Sequence, residues 1–130
     1  MRALLLPVGD ELYAIELTEL RAVVAAPDLY AVPTAPGWLL GMFNLRGEVV
    51  PLLDAGAVLG VGQLSSVGFS AVVDHRYGIV GLAAEGSPQT VVLGRQIGPS
   101  AIAGVVGSFA IDGDRVASLL DTDHILRPAA

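Results

Sequence analysis

Apolar residues in this chain fall into short runs, broken at close intervals by glycine, proline and aspartate. Helical periodicity is scarce, and the pattern predicts an all-β sandwich or barrel with only minor helices. "LLLPV" (Leu4–Val8) and "ELYAIEL" (Glu11–Leu17) flank Gly9-Asp10 as a hairpin, with Tyr13, Ile15 and Leu17 sharing one face at period two. In "ELRAVVA" (Glu19–Ala25) the β-branched pair Val23-Val24 favours a strand over a helical turn. "APDLYAVPTAP" is a proline-rich loop leading to a brief helix at Gly37–Leu40, and "LRGEVVPLLD" (Leu45–Asp54) follows as a strand. Pro51 confines that strand to an edge or a bulge.

After the linker "GVGQLSSVG", the runs "FSAVV" and "YGIVGLAA" form a hairpin across Asp74-His75-Arg76. "QTVVLG" is a further strand, and "IAGVVGSFAI" and "RVASLLD" join through Asp112-Gly113-Asp114, a strong short-range turn signal. Thr122 is the expected N-cap of a last helical turn, "DHIL". The two halves also echo each other. "VVPLLDAGAVL" (Val49–Leu59) and "VASLLDTDHIL" (Val116–Leu126) align at a constant offset, pairing Leu52-Leu53-Asp54 with Leu119-Leu120-Asp121. "LYAIEL" and "RYGIVGL" share Tyr-x-Ile. This predicts one domain over residues 1–130, built of two similar β subdomains with the changeover near 60–66.

A chain of 130 residues buries a real core without staples. No apolar stretch approaches the roughly 18 residues of a membrane span, and the apolar run behind Met1 is too short for a signal peptide. The reading is a cytoplasmic protein without direct membrane insertion. The absence of cysteine removes disulfides, thiolate metal sites and a cysteine nucleophile. All seven basic residues are arginine, which removes Schiff-base and P-loop lysine chemistry. A net charge of −6 argues against a nucleic-acid partner. With only 15% charged residues, the apolar excess either fills the core or faces a protein partner.

Catalytic groups are thin. His75 and His124 read as exposed punctuation in a turn and a terminal helix, and no Gly-x-Ser-x-Gly elbow occurs. Gly60-Val61-Gly62 lacks the third glycine of a dinucleotide fingerprint, since Ser65 stands there. Asp112-Gly113-Asp114 and Asp121-Thr122-Asp123 lack the spacing of a calcium loop. The chain is read as a non-enzyme with no catalytic residue, cofactor or metal site.

"NLRG" (Asn44–Gly47) is the segment left to explain. An unpaired buried arginine costs several kcal/mol, so Arg46 must be paired or reach the surface. Glu48 has matching parity for a routine surface pair. The other reading is a guanidinium braced by Asn44 and Gly47 and offered to a partner, with Gly41 and Gly47 permitting close backbone approach.

At "VPTAPGWLLGMFNLRGEVVPLLDAGAVLG" (Val32–Gly60) the chain resembles the CheW family, adaptor proteins of bacterial chemosensory arrays. The resemblance rests on Val32-Pro33, Ala35-Pro36, Gly41, Asn44-Leu45-Arg46-Gly47 and Leu53-Asp54, in order. Weaker echoes are "LYAIEL", "YGIVGLAAE" and "RVASLLDTDHIL". It implies two SH3-like five-stranded β-barrels around a shared hydrophobic core. It also implies a coupling role with two partners, the regulatory domain of a CheA-like histidine kinase and the cytoplasmic tip of a methyl-accepting chemoreceptor. The implied location is cytoplasmic, clustered at receptor arrays. Gly41, Asn44, Arg46, Gly47 and Glu48 are the candidate protein-binding residues. Two departures stand out: Ala22 where the family usually carries an acid, and Ala84-Glu85-Gly86 where a segment usually ends in Val-Asp. The alternatives are an adaptor of a pilus-motility pathway and a β-barrel domain binding a small apolar ligand between its halves.

Overall fold

The hairpin expected across Gly9-Asp10 is present. β1 (Arg2–Val8) and β2 (Glu11–Glu16) pair antiparallel with Val8 opposite Glu11, and Gly9 takes the positive φ of 59° that a two-residue turn requires. These strands belong to a computed structural model that describes residues 1–76, 78–100 and 103–126. Tyr77, which carries one Tyr of the Tyr-x-Ile echo, and Ile102, which opens "IAGVVGSFAI", lie outside the described residues.

A 3-10 turn (Leu17–Glu19) leads to β3 (Leu20–Ala25), the strand that Val23-Val24 favoured. Next come β4 (Leu39–Leu45), β5 (Glu48–Asp54) and the short helix α1 (Ala55–Leu59), then the hairpin of β6 (Phe69–His75) and β7 (Gly78–Ala84). The remainder is β8 (Gln89–Val92), β9 (Gln96–Pro99), β10 (Val105–Asp112), β11 (Arg115–Leu120) and the turn of helix α2 (Thr122–Ile125). One sheet runs β8-β1-β2-β11-β10-β9 and the other β3-β6-β7-β5-β4. All neighbours are antiparallel except β2 with β11 and β7 with β5.

The fold is therefore the mostly-β, two-sheet class expected, with two differences. One sheet has six strands, and neither closes into a complete barrel. Instead each sheet's edges are linked by a continuous run of chain. Residues 89–99 pair with β1 through β8 and with β10 through β9, while residues 20–30 pair with β6 through β3 and reach β4 by the Tyr30–Met42 bridge.

The period-two alternation sorts side chains into three apolar groups. Leu4, Leu6, Val8, Tyr13, Ile15, Phe69, Ala71, Val73 and Leu120 belong to the core shared between the sheets. The opposite parity fills each sheet's own hollow: Ala3, Leu5, Ala14 and Leu119 in one, Phe43, Val50, Leu52 and Val72 in the other. Each fully buried leucine contributes about 1.5–3 kcal/mol. Ser70 points into the second hollow, fully buried, and its hydroxyl has no hydrogen-bond partner among the described residues. Ser70→Ala is expected to raise stability by about 1 kcal/mol, because it removes an unpaid desolvation. A rise in the urea midpoint at unchanged slope is the expected sign; a fall would show that the hydroxyl is satisfied.

Several expected elements are corrected. Gly37–Leu40 is not a helix but a tight turn, with the Leu39 N–H donating to the Pro36 carbonyl (3.0 Å) and β4 starting at Leu39. Leu45–Asp54 is not one strand, since Arg46-Gly47 divides it. Pro51 sits in a central strand, yet opposite Met42, whose N–H and C=O both turn away to Tyr30. Pairing of β5 with β7 begins only at Leu52, so no ladder hydrogen bond is lost to the ring. His75 is not in the turn. It continues the Phe69-Ala71-Val73 parity into the protein, its side chain 3% exposed and 3.0 Å from Asp123 Oδ1. Thr122 is not the cap: Asp121 accepts from the His124 N–H, and Thr122 Oγ1 donates to Glu19 Oε1 (3.1 Å). Burial pushes the Glu19 carboxyl up, against the lowering effect of that bond.

Candidate functional site

β4 and β5 pair with Leu45 opposite Glu48, leaving Arg46 and Gly47 as a two-residue hairpin turn. Both have positive φ, 51° and 88°, the signature of a type I′ turn. Arg46 is thus at the tip of a hairpin rather than inside a strand. The sequence pattern concealed this because Leu45 and Val49-Val50 continue the apolar run on either side. Gly47 suits its position without strain. Arg46 does not: glycine or asparagine is the residue such a position favours, and an L side chain there costs about 1–2 kcal/mol. The Gly47 N–H donates to Asn44 Oδ1 (3.0 Å), which pins the turn from the preceding strand.

The guanidinium of Arg46 is exposed and makes no hydrogen bond or ion pair among the described residues. The Arg46–Glu48 pair that strand parity allowed does not form, because the turn between them breaks the parity. Glu48 instead accepts from both terminal nitrogens of Arg21 on β3, whose Nη1 also lies 3.6 Å from Asp74. β3 is one edge of this sheet and β5 is next to the other, so the pair marks how far the sheet curls. A cleft of about 60 Å³ lies between them, lined by Arg21, Ala22, Leu45, Arg46 and Glu48.

Four of the five candidate residues therefore meet at one tip: Asn44, Arg46, Gly47 and Glu48. Gly41 does not join them. It is buried, and a Cβ there would stand 2.9 Å from the Tyr30 carbonyl oxygen, so it accommodates the chain's own loop. The outward face of the hairpin adds Val49, 61% exposed, with Tyr30, 69% exposed, beyond the edge of β4. Sequence reasoning missed both, although Val49 alternates with buried Val50 and is placed outward by period two alone.

A second hollow, of about 400 Å³, opens between the linker and the β1–β2 turn, lined by Val8, Gly9, Asp10, Glu11, Gln63 and Glu85 among others. Glu85 accepts from the Ser65 hydroxyl (2.7 Å), the Ser65 N–H (2.9 Å) and the Gly9 N–H (2.7 Å). These bonds hold its carboxyl below the usual carboxylate range. The hollow is open and rimmed by acids, unlike the enclosed apolar pocket that a small apolar ligand prefers. Among the described residues no cluster of His, Asp or Glu is arranged to hold a metal.

Comparison with known proteins places this geometry in context. A family model, the CheW-like domain, matches residues 2–130. The chain is 36% identical over 47 residues to the "Chemotaxis protein CheW" of Treponema pallidum, covering 36% of this chain and 28% of that protein. It is 43% identical over 47 residues to the protein of the same description from Helicobacter pylori, again covering 36% and 28%. The "Probable chemotaxis protein CheW" of Rhizobium etli is 33% identical over 54 residues, 42% of this chain and 35% of that protein. The matched segments thus span only about a third of these relatives. A similar fold is found in the scaffolding protein TtCheW from Thermoanaerobacter tengcongensis, with a TM-score of 0.78, 20% identity and coverage of 92% of this chain and 83% of that one.

Proposed function

The chain belongs to the CheW-like domain family, and on that footing we propose that it is a non-catalytic adaptor coupling chemoreceptors to a chemosensory histidine kinase. Its partners are then the kinase's regulatory domain and the cytoplasmic hairpin tip of a receptor, and it works in the cytoplasm at receptor arrays. Among the described residues no helix is long and apolar enough to cross a membrane.

One observation carries the choice of contact site. Arg46 holds a left-handed backbone conformation that glycine would occupy at less cost, and its side chain makes no hydrogen bond or ion pair among the described residues in return. Strain of this kind persists where the side chain is needed for something other than folding. Asn44 and Gly47 set the tip, Glu48 keeps Arg21 occupied, and exposed Val49 and Tyr30 supply apolar area beside a planar donor.

Arg46→Gly separates the two roles. It is expected to stabilise the domain by about 1 kcal/mol and to weaken binding to one of the two partners at least about tenfold; Arg46→Lys recovers part of the loss. Melting curves and titration calorimetry, with kinase domain and receptor tip taken from the same organism, read both. A destabilised Arg46→Gly would make the arginine structural and end the site assignment. Wild type binding neither partner would end the adaptor reading itself.

A further inference from the structure

We propose that the cleft between β3 and the β4–β5 tip receives an acidic side chain of the partner, with the carboxylate clamped by Arg46. This rests on the adaptor reading and names the chemistry its contact site recognises. The floor of the cleft is apolar. Ala22 and Leu45 are half-buried, and on β3 Ala22 and Val24 pack toward the sheet's own hollow while Arg21, Val23 and Ala25 are exposed. The rim carries two guanidinium groups in different states. Arg21 is matched, by Glu48 and by the nearby Asp74. Arg46 is unmatched among the described residues, since Glu48, the acid two residues away, turns both oxygens to Arg21.

The methyl of Ala22 is what leaves the place open. A longer acidic side chain on this inward position of β3 would reach the Arg46 side of the cleft and satisfy it from within. The cleft is small, about 60 Å³, with Arg46 on its rim. A glutamate suits it, its stem on Ala22 and Leu45 and its two oxygens on the guanidinium edge. The chain's net charge of −6 gives no long-range attraction to an acidic partner, so the clamp acts once contact is made, through the dissociation rate.

The test places a carboxylate in the cleft from this chain's own side. Surface plasmon resonance measures whichever partner's binding depends on Arg46, using wild type, Ala22→Glu, Ala22→Gln and Ala22→Glu/Arg46→Gln. Ala22→Glu is expected to speed dissociation about tenfold or more, Ala22→Gln, of equal length without charge, no more than about threefold. In the Arg46→Gln background Ala22→Glu adds no further loss. If Ala22→Glu fails to fold in a melting scan, Ala22→Asp replaces it with the same expectation. Equal losses for the charged and neutral variants would overturn the carboxylate, and wild-type dissociation by the charged variant would overturn the cleft. Either result leaves the adaptor reading standing while wild type still binds. If neither partner depends on Arg46, the inference falls.

Discussion

Gly68→Ala is expected to destabilise the domain by about 3 kcal/mol, lowering the melting temperature by roughly 10 °C. A Cβ at position 68 would lie 1.9 Å from the Gly86 carbonyl oxygen and 2.6 Å from its nitrogen. Both obstacles are backbone, so no side-chain rotation relieves the overlap. The two segments are held together there by the Gly68 N–H, which donates to the Ala84 carbonyl at 2.8 Å, just before β6 and at the end of β7. Opening the gap would cost that bond and pull the β6–β7 hairpin off the shared core, where Phe69 and Ala84 are fully buried. Gly98→Ala is the control, since a Cβ there meets nothing and its φ is unexceptional. Chemical denaturation of both variants decides the matter: a Gly68→Ala midpoint close to that of Gly98→Ala would refute the close approach.

The second large effect is expected at Asp54. Its carboxylate is buried and divides its work, Oδ1 accepting from the Ala57 N–H and Oδ2 from the Leu64 N–H, both at 3.0 Å. It therefore caps α1 and also ties down the linker that leads to β6. Asp54→Ala removes a cap, at about 1 kcal/mol, and strands a second partly buried donor, at about 1–3 kcal/mol. The expected total is about 3 kcal/mol, and Asp54→Asn, which keeps one acceptor, should lose roughly half of it. Asp121→Ala offers the comparison within the same molecule. Asp121 corresponds to Asp54 in the sequence echo, but it is exposed, its bond to the His124 N–H is 3.4 Å, and among the described residues no second donor depends on its side chain. Its loss should stay below about 1 kcal/mol. Equal effects at the two aspartates would mean that the linker bond at Leu64 contributes nothing.

That contrast also illustrates what the sequence disclosed. The echo of Leu-Leu-Asp was legible because identical local demands, a strand turning into a capped helical turn, select identical residues. What the two aspartates do beyond capping depends on the segments that arrive afterwards, and nothing local records it. The hairpins at Gly9-Asp10 and Gly113-Asp114 were legible for the same reason. Pro51 was misjudged because its fitness depends on Met42 and Tyr30, which lie elsewhere in the chain. His75 was missed although the parity of Phe69, Ala71 and Val73 pointed to it, since a histidine beside two other polar residues imitates a turn. β9 escaped notice altogether: Gln96–Pro99 lacks β-branched density and exists as a strand only because β10 lies alongside.

At the candidate site the resemblance pointed to Gly41–Glu48, of which Asn44, Arg46, Gly47 and Glu48 meet at one hairpin tip and Gly41 does not. The conformation that gives Arg46 its interest was not legible. "LRGE" fits a continuing strand and a type I′ turn equally well, and only the pairing of Leu45 with Glu48 decides between them. The partner of Arg21 was likewise invisible, because it requires an edge strand to curl round and face β5.

The strand order also has a bearing on how the molecule is made. The sheet of β3 to β7 is assembled from one unbroken stretch, Leu20 to Ala84, and its contacts can form as soon as that stretch has left the ribosome. The other sheet has to wait. Tyr13 and Ala14 of β2 find their parallel neighbours only in Ser118 and Leu119, far along the chain. The β1–β2 hairpin therefore waits, while every strand between it and β11 is made, with β2's outer edge bare, the condition in which strands recruit the wrong neighbour.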